Sequence, residues 1–367
     1  MTVGAPPRTL LRWTTLAPAL GFAALLPSWG KNLAPPILLI EAIFLVGAVL
    51  AAVNHAEVIA HRVGEPFGSL ILAVAVTVIE VGLIVTLMVS GKGDTSTLAR
   101  DTVFAAVMIT MNGIVGLSLL TAAAKYRLAV FNPEGAGSAL GTVIALASLT
   151  LILPQFTTSH PGPIFASGQL AFAAVASLVL YAAFVVTQTV RHRDFFLPTP
   201  QTANMDDDGP HACQPTWHAT VVSLILLPVS LVAVVGLAKV ESPAIEAGVN
   251  WLGFPPSFVG VVLALVVLMP ESIAAVRAAA QNRTQIALNL GYGSAMASIG
   301  LTIPTLTIAS IWLPGPLRLG LEPTHITLLM TSAIVSVLTV VPGRAKTLHG
   351  ALHLVLLATF IFLSIIP

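Results

Sequence analysis

Charged residues are scarce in this chain, since Lys, Arg, Asp and Glu make up only 8% of its 367 residues. Soluble domains carry about 25% charged residues, so too little polar sequence is left for a separate soluble domain. The net charge of +1 gives no basic footprint for nucleic acid. The single cysteine, Cys213, excludes an intrachain disulfide.

Apolar residues, by contrast, account for 56% of the chain. Eleven apolar runs are long enough for a helix to cross a hydrocarbon core about 30 Å thick, and they do not alternate as β-barrel strands do. We therefore predict an all-α, polytopic membrane protein. The predicted transmembrane helices are 15–29, 35–60, 66–90, 98–122, 136–155, 166–190, 218–240, 254–276, 285–310, 324–341 and 347–366.

The positions of Lys and Arg predict the orientation of these helices. With the N-terminus in the cytoplasm, eleven of these residues fall on the inner side and five on the outer side, and the C-terminus lies outside. The inner set is Arg8, Arg12, Arg62, Lys125, Arg127, Arg191, Arg193, Arg277, Arg283, Arg344 and Lys346. The outer set is Lys31, Lys92, Arg100, Lys239 and Arg318.

An internal repeat relates the two halves of the chain. When PFGSLILAVAVTVIEVGLIV is placed over PSFVGVVLALVVLMPESIAAV, Glu80 falls on Glu271, and IVGLSLL (114–120) then matches SIGLTIP (298–304) further on. Each repeat would hold five helices, an odd number, so the second copy enters the membrane from the opposite side. The predicted organisation is an N-terminal helix (1–33), a first inverted repeat (34–190), a cytoplasmic linker (191–217) and a second inverted repeat (218–367).

The repeat predicts that Glu80 and Glu271 act as a pair. A carboxylate at the centre of a bilayer costs about 3 kcal/mol or more, and ionisable groups inside transmembrane helices are functional by default. Sites in inverted-repeat transporters lie near the midplane where the repeats meet. The inversion therefore brings both carboxylates to similar depth, facing each other.

Two long stretches resemble the signature regions of bacterial calcium/proton antiporters, which belong to the calcium:cation antiporter superfamily. They are HAEVIAHRVGEPFGSLILAVAVTVIEVGLIVTLMVSG (55–91) and LMPESIAAVRAAAQNRTQIALNLGYGSAMASIGLTIP (268–304). The resemblance implies a secondary active antiporter that exchanges cytoplasmic Ca²⁺ for H⁺, with Glu80 and Glu271 ligating the ion. Many members carry a hydroxyl or Gly-Asn shortly before each glutamate. Here VTVIE offers Thr77, whereas VLMPE offers no hydroxyl.

Ca²⁺ needs about 6–8 oxygen ligands, so two carboxylates must be supplemented by neutral oxygens. Pro270 lacks an N–H and leaves backbone carbonyls one turn back, at Val266 and Val267, without a helical donor. Further candidate ligands follow from helical spacing in the next helix and from the analogous region of the first repeat. These are Ser294 and Ser298, at i and i+4, and Thr110 and Asn112.

The same pair accounts for proton coupling. Close carboxyls in an apolar cavity favour their protonated forms, whereas Ca²⁺ requires both to be ionised. Binding is then mutually exclusive, and the exchange of one Ca²⁺ for two H⁺ leaves the charge of the site unchanged. The pair titrates as a unit.

Other ionisable residues lie nearer the membrane surfaces. Their functional interpretation is ion entry or pH sensing. Their structural interpretation is a solvent-exposed helix end or a packed side chain. The candidates are His55, Glu57, His61 and Glu65 on the inner side, Glu246 on the outer side, and His353, one turn from His349. For Glu41, near the outer end of the second helix, the sequence favours neither a structural nor a functional role.

There are four rival functions, and the sequence excludes two of them. An intramembrane metalloprotease is excluded because His55 and His61 are six residues apart rather than four, and an aspartyl protease because Asp94 lies in a loop. A cation channel would also use carboxylates, and a Na⁺/H⁺ or K⁺/H⁺ antiporter could share the scaffold. We expect a bacterial inner-membrane protein without a cofactor, whose partners are the lipid bilayer and the transported ions. We expect no nucleic-acid partner, and the sequence leaves open whether the protein is a homo-oligomer.

Overall fold

The computed structural model describes residues 13–31, 33–64, 67–90, 95–198, 215–312 and 315–367. Within these residues the chain is helical almost throughout, and ten helical segments are long and apolar enough to span a membrane. The predicted all-α, polytopic class is confirmed. A helix also forms at the first predicted span, but its 16 residues cover only about 24 Å, so it is not one of the ten.

Thirteen α-helices are found in the described part of the chain. They are α1 (Trp13–Ser28), α2 (Pro35–Val63), α3 (Phe67–Ser90), α4 (Leu98–Met108), α5 (Val115–Tyr126), α6 (Pro133–Ala147), α7 (Ser167–Val186), α8 (Trp217–Trp251), α9 (Phe258–Ala280), α10 (Thr284–Gly300), α11 (Thr302–Ala309), α12 (Pro323–Val340) and α13 (Thr347–Ile365). Three π-helical segments, Ile109–Ile114, Ser148–Ile152 and Thr187–Arg191, continue helices of the same span.

The helix α8 is the one clear departure from the predicted bounds. It was expected to end at residue 240, before Glu241 and Pro243, but it continues to Trp251. Proline is tolerated inside membrane helices because neighbouring groups can satisfy the freed backbone carbonyl. The predicted bound is therefore wrong, and Glu241 and Glu246 lie within a helix rather than in an outer loop.

The helices divide into two compact units, and neither coincides with a predicted repeat. The first unit holds residues 1–87 with 211–244, and the second holds 88–210 with 245–367. Repeats defined by sequence need not be compact, because helices from both halves interleave in inverted-repeat transporters. The division into repeats stays a prediction, and most of the predicted linker, residues 199–214, lies outside the described residues.

In the first unit, α1 packs along α2 and touches α8 through small residues. A Cβ placed on Gly21 would lie 3.6 Å from the Cβ of Ala233 and 3.7 Å from that of Ala48. Small residues at such contacts allow the backbones of membrane helices to approach closely. The glycine and the two alanines therefore bring α1 onto α2 and α8.

The core of the second unit is the span Leu98–Tyr126, which consists of α4, a π-helical segment and α5. In its most apolar stretch 89% of the residues are buried, against 22% for α13. Helices α9 and α10 pack against this span and against each other, and α13 packs on α5. A short antiparallel pair of strands, β1 (Ala129–Val130) and β2 (Arg344–Ala345), joins two of the connections.

Candidate functional site

The helix α9 carries Glu271 in the second unit. The Glu271 side chain is buried, with 8% exposure, and Pro270 immediately precedes it inside an unbroken helix. Because Pro270 has no N–H, the carbonyl of Val266, four residues earlier, has no amide donor. In a continuous helix the amide of Glu271 is in position for the carbonyl of Val267. Of the two predicted carbonyl ligands, Val266 is therefore the one that the proline frees.

The hydroxyl of Ser272, the residue after Glu271, forms a hydrogen bond within α9. Ser272 Oγ donates to the carbonyl oxygen of Leu268 at 2.7 Å, an intrahelical bond to the fourth preceding residue. Hydroxyls in membrane helices commonly make this bond. The polar turn around Glu271 thus presents a carboxylate and the carbonyl of Val266, and its hydroxyl is already occupied.

Thr110 and Asn112 lie in the π-helical segment Ile109–Ile114, and both are completely buried. Such segments interrupt the regular i→i−4 pattern and are frequent at functional sites. The Thr110 hydroxyl donates to the carbonyls of Ala106 at 2.8 Å and Val107 at 2.9 Å. Its oxygen can still accept a hydrogen bond or face a cation, because donation leaves the lone pairs of the hydroxyl free.

Asn112 is held by two other helices of the second unit. Its Nδ2 donates to Ser332 Oγ on α12 at 2.9 Å, and its Oδ1 lies 3.2 Å from Nδ1 of His353 on α13. Since an amide oxygen only accepts, the imidazole donates in this contact. His353, predicted as a candidate for ion entry or pH sensing, is fully buried and orients the amide of a predicted ion ligand.

Two glycines explain why His353 reaches Asn112. A Cβ on Gly116 of α5 would lie 2.9 Å from the Cβ of His353, and one on Gly350 of α13 would lie 2.6 Å from the amide nitrogen of Leu120. Both positions require glycine, since real Cβ contacts are longer. His349, one turn away, accepts a hydrogen bond at Nδ1 from the backbone of Lys346 instead. The two histidines therefore bond elsewhere and not to each other.

Helix α10 supplies the remaining predicted hydroxyls. Ser298 is buried at 2% exposure and Ser294 is half-buried. A Cβ on Gly291 would lie 3.1 Å from Val115 Cγ2 and 3.7 Å from the carbonyl oxygen of Thr110, so α10 lies close against the π-helical segment. This close approach at Gly291 sets the hydroxyl-bearing face of α10 beside that span.

These residues define what we call the second-unit cluster: Thr110, Asn112, Glu271, Ser294 and Ser298. They lie on the π-helical segment, α9 and α10, three segments that pack against one another. The cluster combines one carboxylate with neutral oxygens of an amide and hydroxyls, which are the ligand types that hard cations prefer. Among the described residues no group of three or more His, Cys, Asp and Glu side chains could hold a metal ion. An ion bound here would rely on neutral oxygens.

Glu80 and Thr77 belong to α3 in the first unit. Both are buried, at 2% and 6% exposure, and they lie three residues apart, which places them on one face of the helix. The Thr77 hydroxyl has no hydrogen-bond partner among the described residues. α3 therefore offers a carboxylate with a hydroxyl beside it. The predicted pairing of Glu80 with Glu271 stays a prediction.

Comparisons with known proteins identify the family. The family model described as sodium/calcium exchanger protein matches residues 33–190 and 222–366. The chain belongs to this family. The predicted class, a membrane antiporter of the calcium:cation antiporter superfamily, is confirmed.

Individual relatives agree with this assignment. The chain is 43% identical over 335 residues to the "putative ionic transporter y4hA" of Sinorhizobium fredii, a match that covers 90% of this chain and 89% of the relative. It is 34% identical over 337 residues to the "sodium-potassium/proton antiporter ChaA" of Escherichia coli, with 91% of each chain covered. A solved structure of YfkE superposes with a TM-score of 0.72 at 15% identity, covering 97% of this chain and 99% of that one, and so shares the fold.

The histidine predicted at the inner end of this transporter is part of the helix packing of the first unit. His55 is buried at 3% exposure, its Nε2 lies 2.9 Å from the carbonyl oxygen of Thr14 on α1, and its Nδ1 lies 3.0 Å from Ser223 Oγ on α8. A neutral imidazole satisfies both contacts by donating from Nε2 and accepting at Nδ1. His55 therefore ties α2 to α1 and α8, and a role in ion entry stays a prediction.

The other peripheral candidates are more accessible. Glu57 is half-buried and interacts electrostatically with His61, which is exposed one turn further along α2. Glu246 is half-buried in the last turns of α8, and Glu65 lies outside the described residues. The accessibility of Glu57 and His61 fits the entry interpretation without testing it.

Sequence reasoning missed a buried ion pair in the second unit. Arg100 Nη2 lies 2.8 Å from Asp101 Oδ1, and Arg100 Nη1 donates to the carbonyl of Gly320 at 3.3 Å. The pair lines a cavity of about 140 Å³ together with Glu322 and His325. The sequence did contain a signal for this ion pair, because Arg100 and Asp101 are adjacent near the start of a predicted helix. The bond to Gly320 indicates a structural role, because it ties the start of α4 to the segment before α12.

Proposed function

We propose that the protein is a secondary active antiporter that exchanges cytoplasmic Ca²⁺ for H⁺ by alternating access. Glu80 and Glu271 bind either Ca²⁺ or protons. The observation that supports this most directly is the second-unit cluster, in which a buried glutamate follows a helix proline on a segment packed against amide and hydroxyl oxygens. That arrangement supplies the oxygen donors a hard divalent cation needs.

The proposed ligand set combines charged and neutral oxygens. Two carboxylates neutralise the ion, and the neutral oxygens come from the second-unit cluster, from Thr77 beside Glu80, and from the carbonyl of Val266, with Val267 as the further carbonyl predicted from sequence. Ca²⁺ accepts 6–8 such oxygens in flexible geometry, so backbone and side-chain donors can be mixed.

Exchange follows from competition for the same oxygens. Without metal, a buried carboxyl avoids the cost of an isolated charge by holding a proton. Ca²⁺ binding requires both carboxyls to be ionised, so the protons leave as the ion enters. One Ca²⁺ then replaces two H⁺ with no change in the charge of the site, and the pair titrates together.

The alternative cargo is a monovalent cation. The relative from Escherichia coli, at 34% identity, is named a sodium-potassium/proton antiporter. A monovalent ion balances one carboxylate, so the other would keep its proton and the exchange would be one ion for one H⁺. We favour Ca²⁺ because two carboxylates match a divalent charge, and selectivity within such a site depends on ligand number and cavity size.

Transport in everted membrane vesicles tests the proposal. Ca²⁺, Na⁺ and K⁺ are offered separately to vesicles that carry an imposed inside-acid pH gradient, and both ion uptake and proton release are recorded. We expect Ca²⁺ uptake that collapses when the pH gradient is dissipated. Uptake of Na⁺ or K⁺ alone would establish the alternative cargo, and uptake that persists without a pH gradient would indicate a channel.

Orientation is tested separately. We propose a multi-pass protein of the bacterial inner membrane with the N-terminus and the linker 191–217 in the cytoplasm and the C-terminus outside. A reporter that is active only in the cytoplasm should be active at the N-terminus and in the linker and inactive at the C-terminus. Termini on the same side would contradict the proposed eleven crossings and would leave the ten membrane-length segments as the spans.

A further inference from the structure

Two further glutamates are buried in the first unit, away from the residues assigned above. Glu41 lies in the second turn of α2 and Glu241 lies in the part of α8 that extends beyond its predicted end. Their exposures are 3% and 4%. Both belong to spans of membrane length, where an ionised carboxylate is costly unless it is paired.

The last turn of α1 joins the two helices that carry them. Ser28 Oγ donates to Glu41 Oε1, and the Lys239 ammonium lies over the ring of Trp29, 4.6 Å from its centroid. A Cβ on Gly236 would collide with Leu25, so α1 and α8 are in close contact one turn before Glu241. The ends of α1, α2 and α8 thus pack together around these carboxyls.

The hydrogen bonding of the two carboxyls is incomplete. Glu41 Oε2, Glu241 Oε1 and the neighbouring Ser242 Oγ are buried and have no hydrogen-bond partner among the described residues. Buried polar oxygens are nearly always satisfied in native proteins, so orphaned ones indicate a missing donor or ion. The two carboxyls also interact electrostatically with each other.

Within the described part of the chain, neither glutamate forms an ion pair. Lys239 and Lys31 are exposed at this end of the unit, and both ion pairs found within the described residues involve Arg100 instead. Ionising both glutamates would leave two like charges in a buried site, which is strongly unfavourable.

We propose that Glu41 and Glu241 form a proton-binding site whose two carboxyls together hold one proton, separate from Glu80 and Glu271. A proton on either carboxyl gives that carboxyl an O–H donor, and it removes one of the two like charges. The inference does not depend on which ion the antiporter carries.

Loss of this proton has a structural consequence. The folded protein holds a proton that the unfolded chain releases at neutral pH, so stability is greatest at low pH and falls as pH rises. Above the pH of proton release the like charges repel each other across α2 and α8. This repulsion should also weaken the packing of α1 against these two helices.

The test combines infrared spectroscopy with thermal unfolding on purified protein. The variant Glu80→Gln/Glu271→Gln serves as the background, so that the proposed transport carboxyls contribute nothing. In this background we expect a protonated-carboxyl band at mildly acidic pH that disappears at alkaline pH, together with a fall in the midpoint of unfolding. Adding Glu41→Gln/Glu241→Gln should remove the band and flatten the fall. Adding Glu134→Gln instead, an exposed glutamate at the start of α6, should change neither.

Each other outcome counts against the proposal. A band and a pH-dependent fall that survive in the Glu41→Gln/Glu241→Gln variant would overturn it. So would binding of ⁴⁵Ca²⁺ or ²²Na⁺ in the background variant that Glu41→Gln/Glu241→Gln abolishes, because the site would then hold a metal ion. If the combined variant does not insert, Glu241→Gln alone carries the test. It should move the loss of the band to lower pH, since Glu41 no longer faces a second carboxyl.

Discussion

The helices that carry Glu80 and Glu271, α3 and α9, are alike in length and unlike in the oxygens they offer. They have 24 and 23 residues, and each contains one buried glutamate. In α3 the turn before Glu80 contains Thr77, whose hydroxyl is unbonded among the described residues. In α9 the same turn has no hydroxyl, and Pro270 frees a carbonyl instead.

In the proposed Ca²⁺ site, this difference separates the constraint on the charged ligands from the constraint on the neutral ones. Both positions would need a carboxylate, because two carboxylates balance the charge of the ion. A neutral oxygen can come from a hydroxyl or from a backbone carbonyl, since both are hard donors of similar size. The two halves of the chain can therefore diverge in the neutral ligands while they keep the glutamates.

Removing either charge should have the largest effect. We expect Glu80→Gln and Glu271→Gln each to abolish exchange, because a site with one carboxylate neither balances Ca²⁺ nor carries two protons. Glutamine keeps the size of the side chain and one acceptor oxygen without the charge, so insertion should be unchanged. Exchange in vesicles at equal membrane content checks this, and near wild-type exchange in either variant would refute the two-carboxylate site.

Loosening Asn112 should have the next largest effect. His353→Leu removes the donor to the Asn112 amide oxygen, and residues that orient a metal ligand typically contribute about 10- to 100-fold to affinity or activity. His353→Gln keeps a donor at this position and should restore part of the loss. The measurement is the rate of Ca²⁺ exchange by each variant, compared as a ratio.

A purely structural role for His353 predicts a different pattern. Both variants would then lose thermal stability in proportion to activity. Stable His353→Leu protein with weak Ca²⁺ binding would support the positioning role, and equal activity of the two variants would contradict it. Comparison of exchange at several pH values separates orientation of Asn112 from pH sensing, since only the latter shifts the pH profile.

Apolar run length was enough to place the helices, because each crossing needs about 20 apolar residues and the loops between them are short. The end of α8 was missed because Glu241 and Pro243 are typical of a helix end in water, whereas a membrane helix tolerates an internal proline and Glu241 is buried here. Nothing in the sequence spacing marks the π-helical segment around Asn112. The bond between Asn112 and His353 joins residues 241 positions apart, so only tertiary structure reveals it.

Closing the helix at Pro270 should have a moderate effect. Pro270→Ala restores an N–H that can bond the carbonyl of Val266 and so competes with the ion for that oxygen. A net hydrogen bond is worth about 1 kcal/mol, so we expect about fivefold weaker Ca²⁺ binding. Stability should rise, by up to about 3 kcal/mol.

Calorimetric titration with Ca²⁺ beside a thermal unfolding curve measures both quantities. Proton binding should change less than metal binding, because protonation of Glu271 needs no backbone ligand. Unchanged Ca²⁺ affinity in Pro270→Ala would show that Val266 does not contribute its carbonyl, and it would leave the proline as a bend or a packing residue.

Removing the hydroxyl on the other helix should have the smallest effect. Thr77→Val keeps the shape of the side chain and deletes an oxygen that has no hydrogen-bond partner among the described residues, so stability should hold or rise slightly. Loss of one neutral ligand out of six to eight should weaken Ca²⁺ binding by about threefold, since water can take the place of the lost ligand. Thr77→Ser keeps the hydroxyl and should bind as the wild type does. If Thr77→Val also binds as the wild type does, the hydroxyl is not a ligand. The two glutamate helices would then differ in more than the source of their neutral oxygen, because α3 would contribute its carboxylate alone.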